Sequence, residues 1–171
     1  LDAVGDRRVV AVVCTHGHFY HFIFFFDLVS ATCSTAHLHL GDRVLCDQSQ
    51  SEPPGADLAD GQVFTVGDVE LTVLHTPGHA PGACCLHAPA LGVLLSGDTL
   101  FSGGPGATGR SFSDFPTIID SIRDRLLSLP GGVSQLDLPV TDLFNAEVIA
   151  RHLAARTGLP GGWWMQTNAP L

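Results

Sequence analysis

The sequence predicts a layered α/β domain, and three features predict it. Residues 9–14 form a continuous β-branched apolar run, the pattern of a strand buried on both faces. Residues 62–66 and 69–75 read as short strands around Gly67-Asp68, a hairpin-type turn. Ile118, Ile119, Ile122 and Leu126 recur at helical spacing. Hairpins beside helix-connected strands call for sheet layers with helices packed against them.

In chain order, the first strand ends in Thr15-His16-Gly17-His18. Residues 19–31 are mostly apolar and long enough for a buried helix, although their aromatic residues are mediocre helix formers. Residues 35–40 read as a short second strand. Residues 50–60, rich in proline, glycine and acidic residues, read as a loop. After the hairpin, residues 82–87 and 92–95 are strands separated by Ala88-Pro89-Ala90-Leu91. Residues 102–109 hold four glycines and a proline, a loop that follows an unusual backbone path. The helix from Phe115 carries Pro116 in its first turn and is ended by Pro130-Gly131-Gly132. A last helix is expected over 142–156, stopped by Gly158 and Pro160. There are no internal repeats.

Length and composition fit one domain: 171 residues, 45% apolar and 15% charged, enough apolar surface to offset the entropy of ordering the chain. The formal charge is −9, and the basic residues are scattered, Arg7-Arg8 and the pair Arg123 and Arg125 being the only small groups. No basic stripe is present to displace counterions from phosphates, so a nucleic-acid partner is not expected. The most hydrophobic stretch, 22–29, is broken by Asp27 and falls far short of the ~20 residues that span a bilayer, so no membrane partner is expected either. Cys14, Cys33, Cys46, Cys84 and Cys85 make an odd set without disulfide spacing, mostly in apolar stretches, which favours a reducing, cytoplasmic setting. The start shows no signal peptide. It also lacks methionine and lies almost on a strand, which is consistent with a fragment.

Three groups of residues carry chemistry. His16, His18 and His21 form H-x-H-x-x-H directly after a buried strand. A spacing of two in extended backbone can point both rings to one side, and His21 can close toward them. Neutral imidazole is a good ligand for zinc and related divalent ions. One histidine there would be read as a loop residue bonded to water; three within six residues read as a ligand cluster. His79 lies in Thr76-Pro77-Gly78-His79-Ala80-Pro81-Gly82, a rigid turn that suggests an aimed ring, although a plain turn explains it equally well in isolation. Asp98, in Ser96-Gly97-Asp98-Thr99, ends an apolar run; such carboxylates act as ligands or acid/base groups, but alone a turn former is the better reading.

In this order the three motifs resemble the metallo-β-lactamase superfamily, over residues 9–129. Thr15-His16-Gly17-His18-Phe19-Tyr20-His21 is similar to the family's T-H-x-H-x-D-H, the stretch from Thr76 to Gly82 to its histidine loop, and Ser96 to Thr99 to its strand-end bridging aspartate. From Leu100 through Gly103-Gly104-Pro105-Gly106 to Ser113-Asp114-Phe115-Pro116 the chain resembles the glyoxalase II-like (hydroxyacylglutathione hydrolase-like) branch. The resemblance implies an αββα sandwich lacking its N-terminal strands, formed as a single domain over 1–171 in which 131–171 match the family poorly. It implies a first metal held by His16, His18 and His79, and a second that Asp98 bridges to and His21 also binds. Zinc, one or two ions, is the expected metal, with iron or manganese possible for the same ligands. The implied activity is hydrolysis of a small-molecule thioester or related acyl substrate. A metal-held hydroxide attacks the acyl carbon, because coordination lowers the pKa of water from ~15.7 toward ~7, and Asp98 is the catalytic carboxylate.

The chain departs from the family in places. Tyr20 stands where the family has a second-site aspartate, and a phenol with a pKa near ~10 is a poor substitute. The family's final histidine has no counterpart around Leu136-Asp137-Leu138-Pro139-Val140-Thr141. His152 falls within a predicted helix and is expected on the surface. Residues 22–46 also fit poorly, although 36–41 can be read as a strand followed by a histidine turn; His37 and His39, alternating in a strand, receive no role. Three readings stay open: a mononuclear or weakly dinuclear hydrolase, a non-catalytic binding relative with an incomplete second site, and a truncated or altered derivative of an active enzyme. Substrate and oligomeric state are not legible.

Overall fold

A computed structural model of the chain describes residues 8–18, 25–47, 55–101 and 104–130. Its first sheet is parallel, with β1 (Ala11–Val13), β2 (Thr35–His39) and β3 (Ala56–Leu58) in that order. Val12 lies opposite Ala36, and Leu38 opposite Asp57. The crossover from β1 to β2 contains α1 (Phe25–Thr32); a 3₁₀ turn (Leu40–Asp42) and α2 (Arg43–Asp47) follow β2. The second sheet runs antiparallel through β4 (Val63–Val66), β5 (Val69–His75), β6 (Cys84–Ala88) and β7 (Val93–Leu95). A ribbon of β8 (Leu100–Phe101) and β9 (Gly104–Pro105) precedes α3 (Phe115–Ser121), which continues as a π-helix over Ile122–Leu126.

Strand alternation sorts the core into layers. Ala36 and Leu38 of β2 face α1, packing with Cys14, Phe25 and the half-buried Val12 and Val29. Phe25 and Val29, four apart, share the inner face of α1. Between the sheets lie Leu58, Val73, Cys84 and Leu86, with Val13, Phe64 and Leu95. On the far side of the second sheet, Cys85 and Leu94 meet Ile118, Ile122 and Leu126 of the α3 segment. Adjacent residues Cys84 and Cys85 thus serve different cores. The result is helix, sheet, sheet, helix: the αββα sandwich that the resemblance implies. Each fully buried large apolar side chain stabilises it by roughly 1.5–3 kcal/mol.

The hairpin turns where expected, with Val66 paired to Val69. His37 and His39 do alternate with the buried Ala36 and Leu38. They face the other sheet, His37 edge-on to Phe64 and His39 stacked on His75 at 4.0 Å. Several local expectations need correction. The stretch 50–60 is not all loop: Ala56–Leu58 adds a parallel strand, because Leu58 fills the inter-sheet core. The first strand is shorter and less buried than its composition suggests, with Val10 54% exposed. The described part of the first helix is Phe25–Thr32, so it runs one residue past 31; 19–24 lie outside the described residues. The helix from Phe115 winds to Leu126, short of Pro130, with Leu127 projecting to solvent. The predicted helix over 142–156 and His152 lie outside the described residues. Among the described residues no helix is long and apolar enough to cross a membrane.

Candidate metal centre

Three loops at one end of the strands build the site. After β1 the chain leaves the sheet with Cys14 N–H bonded to His37 O (2.9 Å) and enters Thr15-His16-Gly17-His18. Cys84 N–H donates to Thr15 O (2.7 Å), which ties this loop to the start of β6. His79 occupies the turn between β5 and β6, closed by Thr76 N–H to Ala83 O at 2.8 Å. The α3 segment holds that turn from behind: Asp114 N–H donates to Gly78 O, and Ser121 Oγ–H to Pro77 O, each at 2.7 Å. Gly78 has φ +133°, and a β-carbon there would lie 2.3 Å from the Ile118 nitrogen, so helix and turn approach this closely only with glycine. Asp98 follows β7 in a turn closed by Thr99 N–H to Ser96 O (3.0 Å). The buried hydroxyls of Thr99 and Thr76 lie 2.9 Å apart and join the aspartate and histidine turns.

These loops bring His16, His18 and His79 together. Their ring centroids are 4.7–4.9 Å apart and their planes cross at 83–90°. One ligand atom from each lies within 4.8 Å of the others. His79 Nε2 is 3.0 Å from His18 Nδ1, while Asp98 Oδ2 stands 3.3 Å from His79 Nε2 and 3.8 Å from His16 Nε2. His16 is 1% exposed and His79 7%. The carbonyl of Ala107 lies 2.7 Å from His79 Nδ1 and can only accept, so the ring proton sits on Nδ1 and the Nε2 lone pair faces the cluster.

The donor set fits a divalent cation. In a tetrahedral site with metal–nitrogen bonds of ~2.0–2.1 Å, ligand atoms lie ~3.3 Å apart, the scale of the spacings here. The 3.0 Å contact is also hydrogen-bond length, so a cation competes with a shared proton for these lone pairs. Burial, helped by His79 and by Arg110, lowers the His18 imidazole to about 4, which keeps it neutral at ordinary pH. Burial also pushes the Asp98 carboxyl up to about 6, against the pull of His79. A carboxyl in that range exchanges a proton near neutrality.

Of the expected site residues, His16, His18, His79 and Asp98 thus meet in one place. His21 and Tyr20 lie outside the described residues, as does the 136–141 region. Sequence reading passed over two supports. The Ala107 carbonyl carries no side-chain signal. Asp42, the fully buried last residue of the 3₁₀ turn, accepts hydrogen bonds from Gly17 N–H and Gly82 N–H in the two histidine loops; a lone acid past a strand end gives no pattern to find.

A sequence profile of the metallo-beta-lactamase superfamily matches residues 1–133, a span that includes the poorly fitting 22–46. The chain is 32% identical over 132 residues to a hydroxyacylglutathione hydrolase of Ectopseudomonas mendocina, covering 77% of this chain and 47% of that protein. It is 34% identical over 121 residues to the human acyl-coenzyme A thioesterase MBLAC2, covering 57% and 43%. The chain therefore spans less than half the length of either relative. The solved structure of TTHA1623 in a di-iron-bound form superposes with a TM-score of 0.63 at 29% identity, over 76% of this chain and 70% of that one. With the profile match covering well over half of its length, this chain belongs to the metallo-beta-lactamase superfamily.

Proposed function

We propose that the protein is a metal-dependent hydrolase acting on a small-molecule thioester or related acyl substrate. The observation that carries this reading is the convergence of His16, His18 and His79 with the Asp98 carboxylate. The names of the two relatives, acyl-coenzyme A thioesterase and hydroxyacylglutathione hydrolase, support the substrate class. His16, His18 and His79 would hold the first cation, and Asp98 would bridge to a second that His21 would also bind. When bound, the cation supplies Lewis acidity, which acidifies water and polarises an acyl carbonyl. Zinc suits imidazole ligands; iron and manganese are tested beside it, and the di-iron form of TTHA1623 supports including iron.

The chain's own residues do the rest. Ala107 fixes the His79 ring and its tautomer. Asp98 Oδ2, 3.3 Å from His79 Nε2, would take the proton that the attacking water loses and pass it to the departing sulfur. One water is thereby consumed, the acyl carbon–oxygen bond forms, the carbon–sulfur bond breaks, and acid and thiol leave. The unbridged, buried thiols of Cys84 and Cys85 suit the reducing, cytoplasmic setting that belongs to the same proposal.

The test is thiol release from an acyl-coenzyme A and from an S-acylglutathione by the zinc-, iron- or manganese-loaded chain. Turnover that a chelator abolishes and that Asp98→Asn lowers by ~10²–10⁴-fold supports the proposal. Tyr20 in place of the family's aspartate favours one other reading, a non-catalytic relative with an incomplete second site. Bound metal without thiol release would establish that reading instead.

A further inference from the structure

The 3₁₀ turn after β2 carries a carboxylate that touches neither a cation nor an arginine in any described contact, yet it is fully buried between the two histidine loops. Asp42 Oδ2 accepts from Gly17 N–H at 2.8 Å, and Oδ1 accepts from Gly82 N–H. Gly17 is the residue between His16 and His18. Gly82 closes the turn that bears His79. One side chain thus bonds the backbone of two segments separated by more than sixty residues, each of which presents rings to the same point.

The fit around the carboxylate is close on both sides. A β-carbon at Gly17 would meet the Asp42 β-carbon at 2.8 Å, and one at Gly82 would meet Asp42 Cγ at 2.8 Å. Any side chain at either position therefore displaces the carboxylate. Neighbouring contacts reinforce the arrangement: His75 Nε2 lies 2.9 Å from Pro81 O, and a β-carbon at Gly41 would approach Gly82 N at 3.1 Å. A buried carboxylate is costly unless its oxygens are bonded, and here each oxygen accepts one backbone N–H, one from each histidine loop.

We propose that Asp42 is a positioning residue for the three-histidine cluster, fixing the His16–His18 loop and the His79 turn in ligand geometry before any cation arrives. The inference rests on the reading that these histidines hold a cation. Ligands already in place lose less freedom on binding, and outer-sphere partners of metal ligands change affinity by ~10–100-fold when removed.

Three measurements on the full chain test it. In the unaltered, metal-free protein, the Gly17 and Gly82 amides should exchange hydrogen at least ~100-fold more slowly than unprotected amides. If they exchange freely without metal and gain protection only on its addition, the cation orders the loops and the inference is wrong. Second, Co²⁺ affinity and the cobalt absorption spectrum are read for Asp42→Asn and Asp42→Ala. The amide keeps one acceptor and the alanine none, so affinity should fall in that order, by ~10-fold or more for the folded alanine variant. Third, thermal melting separates a purely structural role: lower melting temperatures with cobalt affinity and spectrum unchanged would overturn the proposal. If neither variant folds, the exchange measurement alone decides. Failure of the unaltered chain to bind Co²⁺ is a different outcome, which overturns the metal reading and this inference with it.

Discussion

His79 Nε2 lies 3.0 Å from His18 Nδ1, and the two rings, 61 positions apart in the chain, cross at 87°. Neither loop alone creates a binding site; their meeting does. His79→Ala should therefore weaken zinc affinity by at least ~100-fold, beyond what loss of an outer-sphere partner produces. Competition with a chelator measures it. His37→Ala is the control: that ring faces Phe64 between the sheets, so its loss should lower stability and leave zinc affinity within ~3-fold. Equal effects of the two substitutions on affinity would contradict the site.

Gly78 bears the closest approach between the His79 turn and α3. Gly78→Ala places a β-carbon 2.3–2.5 Å from Ile118 in a backbone conformation unfavourable to it. Overpacking and strain together should destabilise the fold by about 3 kcal/mol, read from urea denaturation. An unchanged midpoint would mean that the helix does not rest on the turn.

Asp60, just before β4, joins the end of β5 to the π-helical segment after α3. Burial nudges its carboxyl upward, but the His75 N–H at 2.8 Å and the Arg125 guanidinium outweigh this and hold it below the usual carboxylate range. A lowered native pKa stabilises the fold above the unfolded value, ~3.9, and that contribution vanishes as pH falls through the native value. Asp60→Asn should cost up to ~1 kcal/mol at neutral pH, a modest figure because the pair is partly exposed. The gap between variant and parent should close below pH ~4. A gap that is constant with pH would show that the carboxylate's charge does not matter.

Thiol reactivity should follow burial. Cys33 is exposed, whereas burial pushes the Cys84 thiol far up and the Cys85 thiol to about 11. Only thiolates react readily. A maleimide at neutral pH should label Cys33 in the native protein and reach Cys84 and Cys85 only after unfolding, as mass spectrometry will show. Native labelling of Cys84 would mean that the inter-sheet core is open.

Much of this architecture was legible because it is local. The β-branched run before Thr15, the Gly67-Asp68 turn and the isoleucine spacing of α3 each announce their element within a few residues, and the histidine motifs sit where strands end. What escaped reading depends on distant neighbours. Ala56–Leu58 becomes a strand only because β2 offers it an edge and the inter-sheet core receives Leu58. Asp42 has meaning only when Gly17 and Gly82 close on it. The support given to His79 by Ala107 comes from a carbonyl that every residue possesses.

Three imidazoles that share one ion should retain it through purification and dialysis, and X-ray absorption on the dialysed chain measures this. At least one equivalent should remain, with imidazole nitrogens at ~2.0–2.1 Å. Loss of all metal on dialysis, or retention undiminished when His16, His18 and His79 are all replaced by alanine, would contradict it.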